Sequence, residues 1–471
     1  MGRAGRVAGA SLLVVLLGAG GYAAADAYDV VPGVVTLAPV PDPPAPFPTA
    51  PGAVPAPDLA AVLPALPGDA PVPAPDQVAA LLAGLVADER LGPSVGAIVA
   101  DQLTGTVLAQ YEPATPRVPA STAKLATAVA ALSTIGPERT LKTRVVRDGE
   151  DGVVLVGGGD MMLAAGDGDP GLVNGHAGLA DLAQRTAHEL TLAGTTTVSV
   201  RVDDTLFTGP ALSPGWEPGH LANGFTAPIT AIAVDIAALR TDVPYPPRQT
   251  DPALSAAREF AARLIAAGIT VTGTPARGAA PSGGLELASV DSAPMGEIVE
   301  YFLDTSDNVI AEVVARLVAI EAGLPASFDG AAQAVLTQVG RLDVDTTGAR
   351  LVDGSGLAAG SGLSAQTLLG LLELITDPTR PELRQVAVGM PIAGLTGTLD
   401  DRFTASSARG LVRAKTGSLP NVTSLAGTVV DANGRQLLFV VIADQTPPGG
   451  QWAPREAIDG FVAELAGCGC S

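Results

Sequence analysis

At 471 residues and 47% hydrophobic content, the chain has room for two or three domains and is too apolar to be disordered throughout. A formal net charge of −21 and a pI near 4.4 exclude the basic face that nucleic-acid binding requires. The only cysteines, Cys468 and Cys470, are too few for a zinc site of their own.

The N-terminus reads as an export element. Arg3 and Arg6 precede an apolar run at 7–25 with small residues at Ala23 and Ala25, and Asp26 follows. Nineteen residues are also enough for a single membrane anchor, so residues 1–26 are expected to be a signal peptide or an anchor, with cleavage left open. Residues 27–76 are rich in Pro, Ala and Val, as in PVPDPPAPFP, which suits a semi-rigid extended spacer and cannot build a core.

Folding is expected to begin near Asp76. QVAALLAGLVAD has a helical period, and SVGAIVADQLTGTVLAQY reads as two strands turning at Thr104–Gly105. PASTAKLATAVAAL follows at 119–132, with Ser121 and Lys124 three apart at the start of an Ala-rich helix. Residues three apart on a helix share a face, and an amine beside a serine is one way to activate that nucleophile. Taken alone, Ser-x-x-Lys is a common surface coincidence. The lysine count adds weight: of 27 basic residues only Lys124, Lys142 and Lys415 are lysine, the other 24 being arginine. A GC-rich genome explains the scarcity of lysine but not where the remaining lysines fall. Arginine does not release a proton near neutrality, so a lysine kept beside the serine points to proton chemistry.

Strand-like VVLVGGGD, a helix near 178–192, strand-like TVSVRVDD and a helix across 253–267 come next and read as a separate inserted lobe. GGGD at 157–160 and GDGDPG at 166–171 lack the spacing of a calcium loop and read as turns. His188-Glu189 has no second histidine one turn on, since that position is Leu192. With only His176, His188 and His220, and no G-x-S-x-G, a Ser-His-Asp hydrolase has little support.

DTSDNVIAEVVARLVAIEAG at 304–323 places Ser306 and Asn308 at the start of a helix, where Ser, Asp and Asn are also ordinary caps. A Gly- and Ser-rich loop, LVDGSGLAAGSG, feeds a helix from about Ser364. LVRAKTGSLPNVTSLAGTVVD then carries Lys415, Thr416, Gly417 and Ser418 into β-rich sequence, as for an edge strand whose glycine lets backbone approach a ligand. The tail at 467–471, with its CGC, is expected to have no catalytic role.

Ser-x-x-Lys, Ser-Asp-Asn and Lys-Thr-Gly, in this order, resemble the motif set of penicillin-binding proteins and serine β-lactamases. The long gap after the first motif, with VGGGD, VDDTLFTGP, SDNVIAE, DGSGL, GLTGTLDDRF and AKTGSL, is similar to the D-alanyl-D-alanine carboxypeptidase/endopeptidases of peptidase family S13, the low-molecular-mass class C penicillin-binding proteins. The resemblance spans about residues 80–465. It departs in a shorter insertion and in Ser418, where threonine is frequent.

What the resemblance implies is specific. The fold is an α/β (α+β) penicillin-binding transpeptidase domain, an antiparallel sheet flanked by helices, at 77–142 and 291–466, interrupted by an inserted domain at 143–290. Ser121 is the acylated nucleophile, Lys124 its base, and Ser306 a proton relay helped by Lys415. Asn308 holds the substrate amide, and Thr416 and Ser418 hold the terminal carboxylate beside Lys415 and Gly417. The backbone N–H groups of Ser121 and Ser418 form the oxyanion hole. No metal or organic cofactor is required. Peptidoglycan stem peptides are the implied substrate and β-lactams the implied covalent inhibitors, at the outer face of the cell envelope. A β-lactamase and a non-catalytic envelope scaffold are the competing readings.

Overall fold

The hairpin forms where the two strand-like runs and the Thr104–Gly105 turn put it. Helix α1 (Pro75–Val86) leads into β1 (Val95–Asp101) and β2 (Val107–Tyr111), which pair antiparallel. Asp101 closes the turn by accepting from the Thr104 N–H at 3.0 Å and from its hydroxyl at 2.6 Å. Gly105 supplies the positive φ, 68°, that the turn requires. A 3₁₀ turn, Ala120–Ala123, then opens helix α2 (Lys124–Thr134), in which every residue from Lys124 to Leu132 is buried. A helix buried all round needs small side chains so that its neighbours can approach closely, which accounts for the alanines.

This computed structural model describes residues 68–469 together with 22, 25–28, 30 and 31. Most of the expected export or anchor segment and most of the Pro-rich spacer therefore lie outside the described residues, as does Cys470. Among the described residues no helix is long and apolar enough to cross a membrane. Two units divide the chain, Met1–Pro64 and Ala65–Ser471, and the elements named here belong to the second.

The segment expected as an insertion carries its own sheet. Strands β3 (Lys142–Asp148), β4 (Gly152–Val156), β6 (Thr197–Asp203), β8 (Thr270–Arg277) and β9 (Glu286–Asp291) form a five-stranded mixed sheet ordered β8-β6-β4-β3-β9. The β4–β6 and β6–β8 pairs are parallel, so their crossovers carry helices α3 (Leu179–Leu192) and α4 (Pro252–Ala266). These helices bury Leu182, Leu190, Phe260 and Leu264 against Val153, Leu155, Val198 and Val200. The lobe is not sealed off. Strands β5 (Asp160–Leu163) and β7 (Ile232–Val234) pair beside it, and Met161, Ala227, Ile229 and Ala233 enter the same core as α2.

The chain returns through α5 (Met295–Asp304), α6 (Asn308–Glu321), α7 (Phe328–Arg341) and α8 (Ala365–Thr376). It finishes with β10 (Val412–Leu419), β11 (Val422–Val430), β12 (Gln436–Ala443) and α9 (Trp452–Gly467). The last three strands join β1 and β2 in a five-stranded sheet ordered β10-β11-β12-β1-β2, antiparallel at every pair. β12 explains the layering. Leu438, Val440 and Ile442 point into the core of α2 and α5–α8, while Leu437, Phe439 and Val441 point toward α1 and α9. Successive side chains on a strand face opposite ways, so an unbroken apolar run marks a strand covered on both sides. The expected antiparallel sheet flanked by helices is what forms. β10 is its edge.

Candidate active site

Ser121 lies in the 3₁₀ turn rather than in the α-helix that the spacing suggested, and Lys124 is the first residue of α2. The pairing survives because side chains three apart eclipse in a 3₁₀ helix as well. Lys124 Nζ donates to Ser121 Oγ at 3.0 Å, to Asn308 Oδ1 at 2.7 Å and to the Ser355 carbonyl at 2.9 Å. All three acceptors are formally neutral. Lys124 is fully buried, whereas Ser121 is partly exposed and open to a ligand. Ala120 holds a left-handed φ of 48°, and Gly356 packs so closely that an added Cβ would sit 2.0 Å from the Ala120 carbonyl oxygen. Backbone strain at the residue before a nucleophile persists only when its surroundings fix it, and here the glycine loop does so.

In the second motif the capping and functional readings divide among neighbours. Asp307 is the cap of α6, accepting from Ile310 N–H at 2.9 Å. That leaves Ser306 and Asn308 to face the lysines. Asn308 donates through Nδ2 to the Phe225 carbonyl at 2.8 Å while its Oδ1 accepts from Lys124, which fixes its orientation. Ser306, with φ of 57°, accepts from Lys415 Nζ at 2.9 Å.

The third motif lies on the edge strand β10. Lys415 is fully buried, and Thr416 and Ser418, two apart, share the other face. Gly417 is where the strand meets the Ser121 turn: a Cβ there would lie 2.1 Å from Ser424 Oγ and 2.6 Å from the Pro119 carbonyl oxygen. Ser424, its cross-strand partner on β11, donates to that same carbonyl at 2.7 Å. Thr416 shares a hydroxyl–hydroxyl bond of 2.7 Å with Thr398, and Ser418 Oγ accepts from Arg455 Nη2 at 3.0 Å. The three motifs thus supply two hydrogen-bonded groups, Ser121–Lys124–Asn308 and Ser306–Lys415, and β10 packs against the Ser121 turn at Gly417.

Burial sets the electrostatics. It lowers the Lys124 pKa from 10.5 to about 8, against the pull of Asp353, Glu312 and Asp307. That shift disfavours the charged amine by roughly 3 kcal/mol, so desolvation outweighs three nearby carboxylates. Lys415 is pushed well below its usual value by burial and then by the Lys124 charge, with Asp304 opposing. A proton on Lys124 therefore disfavours a second one on Lys415.

Several residues of the site carried no signal strong enough to single them out in the sequence. Glu312, one turn after Asn308 on α6, accepts from the N–H groups of Gly354 and Ser355 at 3.0 and 2.8 Å. Asp353 accepts from the Gly356 and Ala358 N–H groups at 2.8 and 2.7 Å and from Trp216 Nε1 at 2.8 Å. Burial and the neighbouring Asp353 raise the Glu312 pKa. Together these carboxylates shape the DGSGL loop so that the Ser355 carbonyl faces Lys124. The loop was visible in the sequence as a Gly-Ser run; its partners were not.

The chain matches the model of the D-Ala-D-Ala carboxypeptidase 3 (S13) family over residues 78–246 and 236–465. It is 39% identical over 404 residues to a carboxypeptidase of Mycobacterium tuberculosis, covering 84% of each chain. It is 38% identical over 400 residues to the carboxypeptidase DacB of Mycolicibacterium smegmatis, covering 83% of this chain and 84% of that one. Among solved structures, penicillin binding protein 4 of Haemophilus influenzae superposes with a TM-score of 0.67 at 22% identity, over 82% of this chain and 98% of that one. That protein has also been solved complexed with a β-lactam.

Proposed function

The chain belongs to the S13 family of D-Ala-D-Ala carboxypeptidases, and from that membership we propose that it removes the terminal D-alanine of peptidoglycan stem peptides through an acyl-enzyme on Ser121. The observation that carries this reading is the buried Lys124 amine, 3.0 Å from Ser121 Oγ and held only by neutral oxygens. An amine with no ion pair and a lowered pKa can take the serine proton as Oγ attacks the carbonyl of the penultimate D-Ala. Ser306, bonded to Lys415, passes a proton to the nitrogen of the departing D-Ala. Water then cleaves the Ser121 ester. Asn308 orients the stem-peptide amide, and Thr416 and Ser418 receive the terminal carboxylate beside Lys415 and Gly417. The N–H groups of Ser121 and Ser418 take the oxyanion. No metal or organic cofactor has a role in these steps.

We read 77–142 and 291–466 as the catalytic domain and 143–290 as its insertion. Export, with the N-terminal segment as signal or membrane anchor, is supported by Arg3, Arg6 and the apolar run at 7–25. β-Lactams mimic the scissile amide and are expected to acylate the same serine. A dedicated β-lactamase is not favoured, because the two curated relatives, each sharing more than 80% of this chain's length, are named as carboxypeptidases.

The test is D-alanine release from an N-acylated tripeptide ending in D-Ala-D-Ala. Release at enzyme-like rates supports the reading, and its absence from correctly folded protein rejects it. The pH profile follows from Lys124. The neutral amine is the active base, and its fraction grows as pH rises toward its pKa of about 8. The acylation rate is therefore expected to climb about tenfold per pH unit below that value and level off above it. A flat profile from pH 6 to 9 contradicts the assignment of Lys124.

A further inference from the structure

Arg455 stands at the far end of the third motif, on α9, outside every motif described above. Its Nη2 donates to Ser418 Oγ at 3.0 Å, and its buried Nε has no hydrogen-bond partner among the described residues. Asp459, one turn further along α9, does not claim it, because both Asp459 oxygens bond Arg402, which makes the salt bridge instead. Arg455 is thus a partly buried cation whose only side-chain hydrogen bond among the described residues is to a residue proposed to receive the substrate carboxylate. Burial, then the Arg402 charge, lowers its pKa.

We propose that Arg455 is a specificity residue that makes the enzyme require a free carboxylate on the residue it releases, acting through Ser418. The inference rests on the peptidase reading above and deepens it. A serine hydroxyl has one proton to give and two lone pairs to offer. With Arg455 donating into one lone pair, the Ser418 proton is left to point at a ligand oxygen. A hydroxyl polarised by a guanidinium is a better donor to an anion. The positive charge, which Asp401 and Asp459 offset only at a distance and without a hydrogen bond to it, favours the carboxylate form of that ligand over an amide. Lys415 lies on the other side of the same strand. In a chain with a net charge of −21, local cations at the mouth also offset repulsion of an anionic substrate.

The reading separates two chemical classes of substrate. A peptide ending in D-Ala-D-Ala presents the carboxylate, as does any cross-link whose leaving residue keeps its own free α-carboxylate. A peptide ending in D-alaninamide presents none.

The experiment compares the free-acid and amide forms of one N-acylated tripeptide, giving kcat and KM for wild type, Arg455→Gln and Arg455→Lys. Wild type is expected to prefer the acid. In Arg455→Gln the acid-to-amide ratio of kcat/KM should fall ~10- to 100-fold, the range of one charge-assisted hydrogen bond. The loss should fall on the acid, mainly through KM, with the amide changed less than about twofold. Arg455→Lys should restore part of the ratio. The amide substrate also reports folding within each variant. An unchanged ratio in Arg455→Gln, or an equal fall for both substrates, overturns the role of Arg455 while leaving the peptidase reading intact. Wild-type protein that cleaves neither substrate removes the peptidase reading itself. Should Arg455→Gln not fold, the ratio in Arg455→Lys decides: a value equal to wild type overturns the proposal, and a reduced one supports it.

Discussion

Ser121→Ala is expected to cut D-alanine release by ~10⁴-fold or more and to abolish covalent labelling by a fluorescent penicillin. The argument is chemical before it is structural. Ser121 Oγ is the partly exposed atom that Lys124 addresses, and no other hydroxyl among the described residues bonds that amine. Losing the nucleophile of a covalent mechanism costs on the order of 10⁴- to 10⁶-fold. The fold should tolerate the change, because Lys124 keeps its bonds to Asn308 and Ser355 and the turn keeps its contact through Ser424. Thermal denaturation close to wild type together with lost labelling is the expected pair of results. Labelling that persists in Ser121→Ala means another residue is acylated.

Lys124→Arg should be nearly as damaging, with acylation slowed ~10²- to 10⁴-fold, the usual range for a lost general base. Arginine would conserve the charge and much of the length, so a purely electrostatic role for Lys124 predicts a mild effect. A role in taking a proton predicts a severe one, because a guanidinium stays protonated at every pH at which the protein is folded. The site also favours the neutral form: burial disfavours the charged amine, and Ser121, Asn308 and Ser355 offer oxygens rather than a carboxylate. The stopped-flow rate of penicillin acylation separates the two cases. A rate within about tenfold of wild type contradicts the base assignment.

The residues named from the sequence and those found only in the structure differ in how far apart their partners lie along the chain. Ser121 and Lys124 are three apart, and so their relation was readable, although that spacing could not tell a 3₁₀ turn from an α-helix because both align i with i+3. Ser306 and Asn308 were readable as a motif but not separable from caps until Asp307 between them proved to be the cap. The unbroken apolar run of VVIA and its neighbours is the pattern of a strand buried on both faces, and β12 is covered on both. Glu312 ends the SDNVIAE string but shows no role there, and only the fold reveals that it holds the backbone of Gly354 and Ser355 more than forty positions away. Phe225 enters through its carbonyl, which no side-chain pattern can advertise. Arg455 sits on an amphipathic helix where an arginine is unremarkable, and only the packing of α9 beside β10 gives it a partner in Ser418. Long-range contacts of this kind depend on the tertiary fold and leave no local period to read.

The proposed chemistry requires three segments to meet so that one serine can be acylated beside two buried amines. Intact-protein mass spectrometry after incubation with benzylpenicillin tests this most directly. The expected result is a stable gain of one whole benzylpenicillin, mapped by digestion to the peptide that contains Ser121. Folded protein that gains no mass, or gains it on a peptide lacking Ser121, would contradict the assignment of the nucleophile and the function built on it.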